Sequence, residues 1–552
     1  MTRSNARIAG LILGWLVLVV TGASAFEDRT PRVHALVGAR VVVRPGKVLD
    51  RATIVVRDGI VVSVGDAPPP ADARLWDLQG RTIYAGLVEP YLDFASGKKP
   101  VEPESAAEAP KPKPTAAAGG VRHPNPRVRA EERVAESLVL DEKEIAALRA
   151  VGFASAHVVP SRGIFRGQSA IVGLRPGRLE DQLLRADVAQ LIAFEHGSDE
   201  ERDFGYPVSI MGSVALVRQT LLDARWAREA EQQYAAAGAG VERPETNLSI
   251  DILGAVLPPS PQTPVWMKTD DILGTSRCAS LVREFGLRAV LLGNGEEYQQ
   301  VDAVRAMGLP IVLPLVFPKP PGFADDDEAL DVELDLLRHW NAAPANAARL
   351  QAAGIDFAFT SNGLEKRSDF RGHVRRAIEA GLPEQAAVAA VTTAPARLLG
   401  LEAHLGSIEG GKIANFTITD GDLFAEKTRV LEVWVDGQRF DVRDDKLDDF
   451  EQVAGKWQLR AGTGGEEWKL ELQGNEWTLR GTLTDAAGHL IPLQHLRWQQ
   501  GELWLTLGPP SPNQTLRLRP EKKALRGTWQ QPNGKETAVE GSRPEPVPGS
   551  EQ

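Results

Sequence analysis

Residues 80–94 read GRTIYAGLVEPYLDF. GRTIYA ends a series of short strands, and LVEPYLDF opens a region of another kind. Side chains two apart on a strand face the same side, so Glu89, Tyr91 and Asp93 share one face of LVEPYLDF. What that face can do decides how the whole chain is read.

Upstream, residues 35–83 contain ALVGARVVV, ATIVVRDGIVVSVG, ARLWDL and GRTIYA. Alternating Val and Ile around Asp58-Gly59 predict antiparallel hairpins. A second patch of this kind, KIANFTITD and RVLEVWVDGQRF, lies at 412–440, and the two patches are expected to pair in space. Between them the pattern changes. RAVLLGN (288–294), PIVLPLVF (310–317) and IDFAFTSN (355–362) are buried-type strands, each followed by helical sequence. Strands without polar alternation that precede helices indicate parallel β/α units, and several in series indicate a barrel.

Residues 97–126 are rich in Pro, Ala, Lys and Glu and read as a flexible excursion. Beyond Asp449, Trp457, Trp468, Trp477, Trp498, Trp504 and Trp529 recur on short alternating segments, a pattern expected of a small antiparallel meander or closed barrel. Residues 541–552 read as a disordered tail.

The chain has 552 residues, too many for one core, with 43% hydrophobic and 25% charged residues. Its net charge of −11 repels phosphate backbones and argues against nucleic acid. Arg3 and Arg7, the apolar run Ile8–Val20 and Ala23-Ser24-Ala25 form a secretory signal, with cleavage near Ala25 and a mature chain from Phe26. The run is shorter than a spanning helix needs, so no transmembrane segment is expected after signal removal; an uncleaved anchor is the alternative. An exported protein, periplasmic or secreted, is the expectation. Cys278 is the single cysteine, so no intramolecular disulfide forms.

GRTIYAG with LVEPYLDF resembles the opening of the barrel of the amidohydrolase superfamily. The closing stretch VTTAPARLLGLEAHLGSIEGGKIANFTITDGDLF (391–424) resembles its exit signature, and GFASAHVVPSRGIFRGQSAIVGL (152–174) is similar to a segment of the imidazolonepropionase-like branch. The resemblance runs from about residue 35 to about residue 440. It implies an α/β fold: a (β/α)8 TIM-like barrel over 87–400, beside a split β-sandwich, or composite domain, built from 26–86 and 401–448. The C-terminal β domain, 450–540, lies outside it.

The resemblance also implies a divalent metal at the barrel mouth that acidifies a bound water for attack on a C–N bond. The expected His-x-His falls on Tyr91 and Asp93. A middle-strand Lys or Glu with a His falls at Met267 and Lys268, the next strand's His on Asn294, and the last strand's catalytic Asp on Asn362. An amide cannot act as a general base near neutral pH, and one carboxylate with two amides does not hold zinc. No metal cofactor is therefore expected; a zinc, or a Mg²⁺ or Ca²⁺ on Glu89, Asp93, Asn294 and Asn362, is the alternative.

His157 is the one remaining histidine placed near a mouth, as a ligand or as a hydrogen-bonded core residue. His196 reads as surface. Glu89 and Asp93 could serve as an acid/base pair, but four residues along a strand separate them by about 13 Å, too far for paired carboxylates. Ser361 has no evident base. Three readings follow. One is a catalytically degenerate barrel, acting as a binding module for a small molecule or peptide, or as a homo-oligomer or hetero-oligomeric partner of an active relative. The second is a hydrolase of non-peptide C–N bonds with an atypical metal site. The third is surface or glycan binding through the tryptophans, for which the alternative is that they fill a core.

Overall fold

A computed structural model describes residues 33–94, 121–194, 206–237, 240–259, 263–319, 332–442 and, with short breaks, 455–543. The signal segment, the cleavage site, most of the Pro-rich excursion, His196 and the last nine residues lie outside the described residues.

Strands β1 (Val33–Arg44), β2 (Lys47–Arg57), β3 (Ile60–Gly65), β4 (Arg74–Asp77) and β5 (Thr82–Ala85) come first. β2 and β3 form the expected hairpin, and Asp58 and Gly59 both take positive φ at its turn. β4 and β5, by contrast, pair parallel to β1, which departs from the antiparallel expectation. Irregularities along β1 let its first part carry β4 and its later part β5 while β2 runs beside both.

The middle region follows with β6 (Leu87–Phe94), β7 (Phe153–Pro160), β8 (Phe165–Gln168), β9 (Ala170–Gly173), β10 (Leu183–Arg185) and β11 (Gln190–Ala193). Then come β12 (Val265–Lys268), β13 (Ala289–Leu292), β14 (Ile311–Pro314) and β15 (Phe357–Thr360). β16 (Phe416–Thr419), β17 (Val430–Val435) and β18 (Gln438–Asp441) return to the first sheet. β16 pairs with β5, so the two patches 330 residues apart do meet, in one eight-stranded sheet rather than two. The hairpin turn at Asp436-Gly437 backs onto the one at Asp58-Gly59: a Cβ on Gly437 would lie 2.8 Å from Gly59 Cα, so neither turn tolerates a side chain there.

In the middle region β11 to β15 run parallel, side by side in chain order. Helices α2 (Ile210–Ala237) and α3 (Ile272–Phe285) intervene among them, whereas α1 (Glu142–Val151) precedes β7 and α4 (Phe370–Glu379) follows β15. β6 and β7 form a second parallel pair. The alternation of strand and helix fails between β7 and β11, where β9 pairs antiparallel to β7 and β8 antiparallel to β11. β15 comes up against β6, and Thr360 Oγ1 lies 3.2 Å from the Tyr91 carbonyl across that junction.

Two apolar layers follow from strand alternation. Tyr91, Val159, Trp266, Val290, Leu292 and Val312 form an inner cluster, whereas Met267, Leu291, Leu313 and Phe359 face outward into the cluster that the helices share. Among the described residues no helix is long and apolar enough to cross a membrane.

The C-terminal region is a nine-stranded antiparallel sheet from Gly455–Ala461 to Glu536–Ser542, with its first and last strands paired. It is nearly closed into a barrel. Trp457, Trp468 and Trp529 lie in its interior among leucines, Trp468 edge-on to Trp529 at 5.0 Å. Trp504 is half-buried under the Arg517 guanidinium. Three of the four described rings thus fill the core, and the side chains of Trp477 and Trp498 lie outside the described residues.

Candidate functional site

β6, β7 and the end of β15 bring together Glu89, Tyr91, His157 and Asn362. Glu89 is completely buried, and its acceptor positions are filled. Oε1 is 2.5 Å from Thr360 Oγ1 and accepts from the Tyr91 amide at 3.1 Å. Oε2 accepts from the Ser361 amide at 2.9 Å and from Ser361 Oγ at 2.6 Å. A carboxylate offers about four lone-pair sites, and here four donors occupy them. Burial pushes the Glu89 pKa above the usual carboxylate range, against the pull of these hydrogen bonds. Glu89 therefore clasps β6 to the end of β15.

Tyr91 is buried with Trp266 in the inner cluster, so a ring fills the position where the resemblance expects the first ligand. Asp93 is half-buried, with Oδ1 3.9 Å from Nη1 of the buried Arg166. A register shift between Glu89 and Leu92 breaks the simple alternation of β6. The three-residue face expected from sequence is thereby divided: Glu89 lies in a hydrogen-bonded clasp, Tyr91 in an apolar core and Asp93 beside an arginine.

His157 is fully buried. Its Nδ1 is 2.8 Å from the Pro90 carbonyl, which can only accept, so Nδ1 carries the proton. Nε2 is then the acceptor, 2.6 Å from Ser169 Oγ. Trp266 meets the imidazole edge-on at 4.4 Å. Burial drives the His157 pKa down to about 4, so the ring is neutral at neutral pH with both nitrogens engaged.

Met267 requires a correction: it faces the helices, and its neighbours Trp266 and Lys268 take the inner side, Lys268 half-buried. The one-residue offset follows from strand alternation, which sequence alone could not phase here. Asn294 caps its own loop; Nδ2 donates to Glu296 Oε2 at 3.0 Å and Oδ1 accepts from the Glu296 amide at 3.2 Å. The Asn362 amide donates to Thr360 Oγ1 at 3.0 Å.

Several participants escaped the sequence reading: Thr360, Ser169, Arg166 and Trp266, together with buried Glu297. Glu297 accepts from the amides of Asn294 and Gly295 and, at 2.6 Å, from Asn346 Nδ2. Thr360-Ser361, two hydroxyls ending the last parallel strand, was the available signal for a buried carboxylate opposite.

Residues 293–440 match the amidohydrolase family profile. A crystal structure of an amidohydrolase from Thermotoga maritima superposes over 74% of this chain and 99% of its own, with a TM-score of 0.59 and 21% identity. The fold is that of an amidohydrolase. A curated relative, amidohydrolase tasK of Hapsidospora irregularis, is 44% identical over 57 residues, 10% of this chain and only 6% of that protein. A Xaa-Pro dipeptidase with bound methionine aligns over 74% of this chain and all of its own at 15% identity and a TM-score of 0.42, too distant to inform the site. The family and fold matches support the amidohydrolase superfamily.

An amidohydrolase metal needs donors with free lone pairs aimed at one point. These residues do not fit one. Glu89 has its acceptor sites filled, His157 uses both nitrogens, Asp93 lies beside Arg166, and Asn294 is turned into its own loop. Among the described residues no three His, Cys, Asp or Glu side chains are grouped so as to hold an ion.

Proposed function

We propose that the two parallel sheets close into one distorted (β/α)8 barrel, with the eight-stranded sheet as its composite β domain, and that the barrel has given up metal-assisted hydrolysis. It acts as an exported binding module for a small molecule or peptide, or as a non-catalytic partner of an active amidohydrolase. The Glu89 clasp carries this reading. The carboxylate best placed to serve an ion or activate a water is instead saturated by Thr360, Ser361 and the Tyr91 amide. Glu89 thus works as a strap between strands, and the neighbouring imidazole and aromatic rings fill the space around it. The signal-like N-terminus supports export, and GFASAHVVPSRGIFRGQSAIVGL supports kinship with the imidazolonepropionase-like branch.

The competing reading is hydrolysis of a non-peptide C–N bond, as the resemblance to the amidohydrolase family implies. One preparation separates the two. The mature chain, purified without a histidine tag, is assayed for bound metal by elemental analysis and then for amide, lactam and dipeptide hydrolysis with zinc or manganese added. The degenerate reading expects substoichiometric metal and no turnover above a buffer blank. Stoichiometric zinc with turnover lost on Asp93→Ala would overturn it.

A further inference from the structure

Helix α4 and the loop between β16 and β17 enclose a cleft of about 400 Å³, within the size range of small-molecule sites. Arg371, His373, Arg375 and Arg376 line it from α4, and Phe424 and Thr428 from the loop. The source is RGHVRR (371–376), in which Arg371 and Arg375 stand one turn apart on the same helix face. Arg376 lies further round, its guanidinium 4.8 Å from the Phe317 ring centre. Three guanidiniums thus meet at one cleft in a chain of net charge −11. Two carboxylates, Asp369 and Glu426, also line it, and both are exposed.

Arg371 is the member with an unmet need. It is half-buried, and its hydrogen bonds run from Nη1 alone, to the carbonyls of Thr428 at 2.8 Å and Leu423 at 3.4 Å. Those oxygens fix the side chain without neutralising it, and Nε and Nη2, a parallel pair of donors, are left over. Burial pulls the Arg371 pKa below the usual arginine range, and the Arg375 guanidinium adds to this. The opposing charge, Asp420, is itself taken by the Arg429 amide at 2.7 Å and Nε at 3.0 Å. Arg375 has only Glu379, 3.8 Å away. Between the two arginines the helix is bare: a Cβ on Gly372 would meet only Arg375 Nη2, at 3.9 Å. We propose that this cleft binds a small dianion, a phosphate monoester or a dicarboxylate, with one oxyanion group held between Arg371 and Arg375. His373 is stacked on Phe317, and its Nδ1 donates to the Leu315 carbonyl at 2.6 Å, so in the neutral ring Nε2 is left to accept from a ligand hydroxyl. The exposed carboxylates repel an extended polyanion and so favour a compact ligand. No residue of the Glu89 clasp takes part.

Isothermal titration calorimetry on the full chain, purified without a histidine tag, tests this with inorganic phosphate and succinate as probes. Sodium chloride at matched ionic strength is the control. Saturable one-to-one binding of at least one probe is expected; phosphate alone points to a phosphate ester, succinate alone to a dicarboxylate, and both to the shared oxyanion chemistry. Arg375→Gln, which removes no hydrogen bond within the chain, is expected to weaken binding about tenfold. Gly372→Leu fills the bare helix surface and is expected to abolish binding with an unchanged circular dichroism spectrum and no loss in Tm. Absence of saturable heat with both probes would refute the site. So would binding that chloride suppresses equally well, or binding that both variants leave intact. Metal content and turnover do not enter these readouts, so hydrolysis found elsewhere in the chain would leave the inference standing.

Discussion

The parallel sheets of the middle region and the C-terminal sheet both bury tryptophans, but they do so by opposite rules. In the C-terminal sheet the interior is leucine, valine, alanine and Trp457, Trp468 and Trp529, an apolar filling that strand alternation delivers by itself. In the parallel sheets, Trp266 lies against His157, and the clasp at Glu89 sits on the same strand as Tyr91. The buried carboxylate there is satisfied largely from a distant strand: Glu89 by Thr360 and Ser361, 271 and 272 residues away. The difference teaches that an apolar core needs only the right period, whereas a polar core needs the right fold around it.

The sharpest way to break this contrast is to cut a cavity in the apolar core. Trp468→Ala is expected to cost about 4 kcal/mol, seen in urea unfolding as an early transition confined to the C-terminal domain. If the whole chain unfolded together at lower urea, the two regions would not be energetically separate. Next comes the clasp. Glu89→Ala strands the buried amides of Tyr91 and Ser361 and is expected to cost about 3 kcal/mol in the transition of the parallel sheets. Glu89→Gln keeps the shape but sets an NH₂ against one of those donors, and is expected to cost about half as much.

A third comparison uses pH, because the two buried titratable groups carry opposite signs. The His157 pKa is depressed, so its contribution is present above the ordinary imidazole range and is lost as pH falls from about 6.5 through about 4, by up to about 3 kcal/mol. The Glu89 pKa is raised, so its contribution is greatest in acid and declines as pH rises above the ordinary carboxylate range. Chemical denaturation at several pH values should therefore show His157→Gln flattening the acid limb and Glu89→Gln flattening the loss on going toward neutrality. The smallest effect is expected at Asp93. At 3.9 Å from Arg166 and 32% exposed, Asp93→Asn should change stability by less than about 1 kcal/mol. A larger loss would give Asp93 the kind of role that Glu89 holds.

Much of the architecture was legible in the residues. Val-rich alternation around Asp58-Gly59 marked the hairpin, and AVLL, IVLP and FAFT marked parallel strands because nothing in them suits a solvated face. Strand direction was less legible: β4 and β5 look like further hairpin strands, yet they join β1 in parallel through irregularities that no local signal announces. At the site, Tyr91, Asp93, Asn294 and Asn362 could be named as positions, and of the pair Met267 and Lys268 the fold turns Met267 toward the helices. The partners of Glu89 were hidden because they lie about 270 residues further along the chain.

What the sequence determined alone was periodicity: which segments bury both faces, which alternate, and which side chains are chemically able to bind an ion. Periodicity is local, set by the geometry of a strand or helix turn. Whether a carboxylate or an imidazole keeps its lone pairs for a ligand depends on which hydroxyls, amides and carbonyls surround it. Only the folded chain settles that, because burial makes leaving such a group unpartnered costlier than using up its reactivity.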